Sequence, residues 1–129
     1  MTDNKNKPGL EYALATALPF DPARDPLERF KLICKNAPNV QFMGVELAQY
    51  QSSDAKPRFE EVVLFGTEAG GYIAAHAWHS NVAGEESFWT VAEVTTIKDA
   101  MEVWGWTPVA KAFARRLGWD SNLYLGIAA

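Results

Sequence analysis

The chain reads as an α+β domain: a four- or five-stranded antiparallel meander sheet with helices packed on one face. Three observations predict this. Between Val40 and Val94 four segments place apolar residues at strand spacing. The links between them are short, and a parallel crossover needs about a dozen residues, so neighbouring strands must run antiparallel. The flanking segments carry helix caps and apolar residues at helical spacing.

Residues 1–10 are polar, rich in Lys and Asn, and contain Pro8-Gly9. They are expected as a disordered arm, with residues 11–129 forming one domain. Glu11 to Leu18 suits a short helix or an added strand, closed by Pro19. Asp25-Pro26-Leu27-Glu28 then predicts a helix over 26–36. Asp25 would be its N-cap, Pro26 its first residue, and Leu27, Phe30, Ile33 and Cys34 its apolar stripe.

Val40 to Tyr50 alternates, with Met43, Val45 and Leu47 on one face and Phe42, Glu46, Ala48 and Tyr50 on the other. A polar loop ending in Pro57 leads to the second strand, Arg58 to Gly66, apolar on both faces of its second half. Gly70-Gly71 supplies a hairpin turn. Tyr72 to Ser80 follows, with Tyr72, Ala74, His76 and Trp78 on one face and Ile73, Ala75, Ala77 and His79 on the other. Ser87 to Val94 completes the meander. Thr96 and Asp99 form a capping box for a helix ending at Gly105. Thr107-Pro108 starts another, with Val109, Ala112, Phe113 and Leu117 as its buried stripe, and Trp119 to Leu125 suits a last strand.

At 129 residues the chain can bury about two thirds of its unfolded surface. One cysteine excludes an internal disulfide, and no signal peptide or long apolar run is evident, so a reducing cytoplasm and no membrane are expected. Charge is uneven. Residues 40–105 hold ten acids against three bases, a net −7 inside an overall −4. Such a field repels nucleic acid and speeds encounter with basic partners.

The residues that carry chemistry do not assemble into a catalytic set. Cys34 falls on an apolar stripe, where a thiol is ordinarily inert. His76 and His79 are three apart on a strand and leave opposite faces, so no shared metal is expected. Glu60 and Glu61 also point apart, although Glu61 could approach Glu46 or Glu93 across strands and raise a carboxyl pKa there. Gly70-Gly71 closes a hairpin instead of opening a helix, which disqualifies it as a phosphate cradle. No cofactor, metal or catalytic residue is assigned.

The order Phe42-x-Gly44-x-x-Leu47, Thr67-x-x-Gly70-Gly71-Tyr72, Asp99-Ala100-Met101-Glu102, Gly105, Ala110-Lys111 and Leu117-Gly118 resembles the small bacterial and plasmid-borne proteins called EXLDI-type. The resemblance covers residues 40–118 and implies a mobile-element or accessory protein. It brings no activity and no functional residue.

These readings point to a non-enzymatic protein-binding module with an acidic, aromatic sheet surface. Its contact residues would be Glu60, Glu61, Glu68, Tyr72, Trp78, Glu85, Glu86 and Glu93. The setting would be a phage- or plasmid-encoded inhibitor of a host nucleic-acid-binding defence protein. Three alternatives stand beside it. A small enzyme or small-molecule binder would use a pocket between sheet and helices, built on His76 with Glu61 or Tyr72. A nucleic-acid binder would use Lys111, Arg115, Arg116 and the Lys-rich arm. A homodimer would join through an edge strand.

Overall fold

The computed structural model describes residues 7–53 and 55–126; the expected arm falls partly outside them. A short helix α1 (Leu14–Ala17) precedes five strands: β1 (Glu28–Leu32), β2 (Val40–Gln51), β3 (Arg58–Thr67), β4 (Tyr72–Ser80) and β5 (Phe88–Val94). Helices α2 (Ile97–Trp104) and α3 (Pro108–Arg116) follow. Strand order matches sequence order and every ladder is antiparallel, as the short links require.

The segment expected as a helix over 26–36 is instead β1, paired with residues 40–44 of β2. Glu28, Phe30 and Leu32 share one face, while Arg29 and Lys31 take the other. The same residues therefore fit a period of two as well as a helical one, and packing decides. Phe30 lies 5.4 Å from Phe42 and 4.7 Å from Phe65, ring centre to ring centre. A helix could not place both contacts on one ladder.

The β2 alternation is also broken. Register shifts between Glu46 and Ala48, a bulge that adds one residue and reverses the facing beyond it. Phe42 and Glu46 stay on the face opposite the helices, while Ala48 and Tyr50 turn toward them, opposite Leu64 and Val62. Trp119 to Leu125 forms no strand.

The sheet curls, and its two edges meet at one end. Cys34 makes a parallel bridge with Trp89, whose N–H donates to the Ile33 carbonyl at 2.9 Å. Inside the curl Leu32, Val63, Phe65, Ile73 and Ala75 form one core. The larger core lies between sheet and helices, around Leu64, Ile97, Met101, Trp104 and Phe113. The Trp104 indole N–H donates to the Val63 carbonyl at 3.3 Å, which satisfies its polar atom in the interior.

Local chemistry fixes the helices as the sequence indicates. Thr96 and Asp99 form the capping box, Gly105 ends α2 in the left-handed region, and Thr107 caps α3 ahead of Pro108. The buried residues of α3 are Ala110, Phe113 and Ala114, one step round from the expected stripe. Among the described residues no helix is long and apolar enough to cross a membrane.

Candidate functional site: two histidine–glutamate pairs and an exposed tryptophan

Glu60 and Glu61 leave β3 in opposite directions, and each meets a different histidine of β4. On the helix side, His76 Nε2 lies 2.8 Å from Glu60 Oε2. The Thr107 hydroxyl donates to that same oxygen while accepting from the Ala110 N–H, which ties the pair to the start of α3. Glu60 is 3% exposed, and its backbone N–H donates to Ser52 Oγ at 2.8 Å. A buried carboxylate needs such hydrogen-bond partners, and here both side chains converge on Oε2.

Inside the curl, His79 Nε2 lies 2.6 Å from Glu61 Oε1, and Gln49 donates to Glu61 Oε2 at 3.0 Å. The His79 ring contacts Phe59 and Trp89. Glu46 stands on the same face. Desolvation, then the neighbouring charges of Glu61 and Glu28, push its carboxyl above the ordinary range. The expected influence of Glu61 on Glu46 is therefore one of charge across the inner face and not of contact, since the register sets Glu46 opposite Phe65 and Glu61 opposite Gln51.

Trp78 projects from the helix-side face and is 58% exposed. It pairs across strands with Phe88 and with Glu60, and its ring meets His76 edge-on at 5.9 Å. On the loop after β4, Glu85 is gripped by two hydrogen bonds from the Arg58 guanidinium, with a third from the Ser80 hydroxyl. Both hold its carboxyl below the usual range, Arg58 more strongly.

One end of the sheet therefore gathers five of the expected contact residues: Glu60, Glu61, Trp78, Glu85 and Glu86. Only Trp78, Glu85 and Glu86 of these present substantial surface. Glu68 sits on the far hairpin, with its N–H bonded to the Met43 carbonyl. Glu93 is exposed on β5 opposite Ile73, on the inner face. Tyr72 is buried, and its hydroxyl donates to the Leu18 carbonyl at 2.6 Å. Burial raises its pKa. It packs edge-on against Phe20 and offers nothing to a partner.

His76 does not reach Glu61 or Tyr72, the partners a small-molecule pocket would need. Its partner is Glu60, on the same face and two residues along β3 from Val62, which His76 directly opposes. Arg116, expected on a nucleic-acid surface, lies over the Tyr50 ring, 4.7 Å from its centre. Among the described residues no three His, Cys, Asp or Glu side chains are grouped to hold a metal ion.

Sequence reasoning missed the role of Thr107, visible beforehand only as a cap. It also missed Gln49 as a ligand of Glu61, which the bulge at Glu46–Ala48 brings inward. Comparison with protein-family models, with curated proteins and with solved structures finds no match for this chain.

Proposed function

We propose that this protein is a non-enzymatic binding module that docks on a basic protein surface through a face centred on Trp78. The observation that carries it is the indole itself: it stands out from β4, a strand whose first four residues are all buried. Tryptophan gives large contact area at low conformational cost and is enriched among the residues that dominate interfaces. The His76–Glu60–Thr107 chain beneath it holds the platform rigid, so little ordering remains to oppose association.

The acid excess of the strand region, with Glu86 exposed on the β4–β5 loop, favours a partner of opposite sign, while Glu85 is already paired with Arg58. Nucleic-acid-binding proteins present such surfaces. A phage- or plasmid-encoded inhibitor working in the cytoplasm is the setting that fits, in keeping with the EXLDI-type resemblance.

Affinity capture from host lysate tests this when wild type, Trp78→Ala and Glu86→Lys are compared across a salt series. A partner retained by wild type at low salt, released as salt rises, and weakened about tenfold or more by either variant is the expected result. Identical recoveries by wild type and Trp78→Ala would overturn it.

A further inference from the structure

We propose that the groove between α2, α3 and the segment after Trp119 binds a small organic anion with a flat apolar body. This site is separate from the Trp78 face and does not depend on it. The groove has a volume of about 550 Å³, and Leu10, Trp106 and Leu123 form its apolar walls. Pockets for small molecules span roughly 300–1,000 Å³, with mostly apolar walls and a few converging polar groups.

Its frame is a backbone weave of three distant segments. The Asp120 N–H donates to the Pro8 carbonyl at 2.8 Å, and the Lys98 N–H donates to the Leu10 carbonyl at 2.9 Å. The Ile97 N–H donates to the Tyr12 carbonyl at 3.1 Å. Leu10 is therefore fixed against the start of α2, and the outgoing chain is tied across it.

The charge here is opposite to that of the sheet. Lys98 and Lys111 line the groove, and an adjoining hollow of about 250 Å³, which shares Lys111, Ser121 and Asn122, adds Lys7 and Arg115. The carboxylates facing these four cations are Glu11 and Asp120. Asp120 already accepts from the Asn122 N–H, the Asn122 side-chain amide and the Tyr124 hydroxyl. Among the described residues no ion pair involves Lys98, Lys111 or Arg115. Positive charge left unpaired at an apolar hollow, in a protein of net −4, suits an anionic ligand.

Trp106 supplies the third observation. Its backbone is left-handed, φ 57°, directly after Gly105 at φ 82°. A bulky residue in that region costs about 1–2 kcal/mol. The half-buried indole packs against the main core and also lines the groove, where a planar apolar group can contact it.

The test uses 8-anilinonaphthalene-1-sulfonate, a fused aromatic carrying one sulfonate, with fluorescence as the readout on the full chain. One saturable site is expected. Affinity should fall about tenfold or more in Lys98→Ala/Lys111→Ala, two exposed positions whose truncation leaves the fold intact. Trp106→Gly, which suits the left-handed backbone, should weaken it comparably. The uncharged analogue N-phenyl-1-naphthylamine should also bind about tenfold more weakly. No saturable binding, equal affinity in the lysine variant, or equal affinity for the uncharged analogue would each overturn the proposal. Salt-sensitive binding of oligothymidylate that tightens with length and outcompetes the sulfonate would overturn it in favour of a nucleic-acid strand.

Discussion

Glu60 Oε2 lies 2.8 Å from His76 Nε2 and also accepts a hydrogen bond from the Thr107 hydroxyl, so one buried acid joins the middle of the sheet to the first turn of α3. Removing it would leave an imidazole and a hydroxyl without their acceptor in a largely buried site. Glu60→Ala is expected to cost about 2–4 kcal/mol, read from urea unfolding. Glu86→Ala, on the exposed loop, should stay within about 0.5 kcal/mol of wild type. A double-mutant cycle of Glu60→Ala with Thr107→Val should show coupling of at least about 0.5 kcal/mol. Strict additivity would mean that the carboxylate does not hold the helix.

Two tryptophans should respond in opposite ways. Trp104 is fully buried, with its indole N–H on the Val63 carbonyl, and Trp104→Ala is expected to cost about 3–5 kcal/mol. Trp78→Ala removes a mostly exposed ring and should cost less than about 1 kcal/mol. Thermal unfolding followed by circular dichroism distinguishes them. A large loss at Trp78 would assign that ring to packing and withdraw it from any docking role.

Much of this fold was legible because its signals are local. The Thr96–Asp99 box, the Gly105 stop and the Thr107-Pro108 start each depend on residues within one turn, and all three formed. The strands β2 to β5 were legible for a similar reason, since short links leave little choice of pairing. Residues 26–36 were misread because Leu27, Phe30, Ile33 and Cys34 satisfy a helical stripe, while Phe30 and Leu32 satisfy a strand equally well. Only the distant aromatic partners Phe42 and Phe65 separate the two. The site was less legible still. That the histidines leave opposite faces followed from spacing alone, but their glutamate partners depend on the β3–β4 register. The groove draws on residues near 10, 98–111 and 121–123, which no local pattern connects.

Glycines give a second contrast. A Cβ at Gly44 would stand 2.3 Å from the Gly66 carbonyl oxygen and 3.1 Å from the Phe42 ring. Backbone there cannot yield without opening the β2–β3 ladder, so Gly44→Ala should destabilise by about 1–3 kcal/mol. At the hairpin only Gly70 is left-handed, at φ 91°. Gly71→Ala would meet just the Thr67 hydroxyl at 3.4 Å, an ordinary contact. It should be neutral or stabilise by up to about 1 kcal/mol through the unfolded chain. Urea midpoints of the two variants check the pair, and equal losses would show that the close approach at Gly44 is not what selects glycine.

The dependence of stability on pH should carry two contributions of opposite sign. Hydrogen bonds from the Thr95 backbone and hydroxyl, and from Thr96, hold Asp99 below the ordinary aspartate range. Its stabilising effect is therefore complete above the unfolded pKa of about 3.9 and is lost as pH falls through the lower folded value. Asp99→Asn should cost about 1 kcal/mol at neutral pH, as loss of a cap does, and should flatten the acid limb of the stability curve. Glu46 behaves in reverse. Desolvation and its acidic neighbours Glu61 and Glu28 raise its folded pKa, so the folded state binds its proton more tightly than the unfolded chain does. Its contribution is favourable below the unfolded pKa of about 4.3 and disappears as pH rises through the folded value. Because Glu46 is exposed, screening limits the effect, and Glu46→Gln should gain only about 0.5 kcal/mol at neutral pH. Urea unfolding of both variants from pH 3 to pH 8 checks the signs, and a Glu46→Gln protein less stable than wild type at pH 7 would mean that the carboxylates on the inner face do not repel one another.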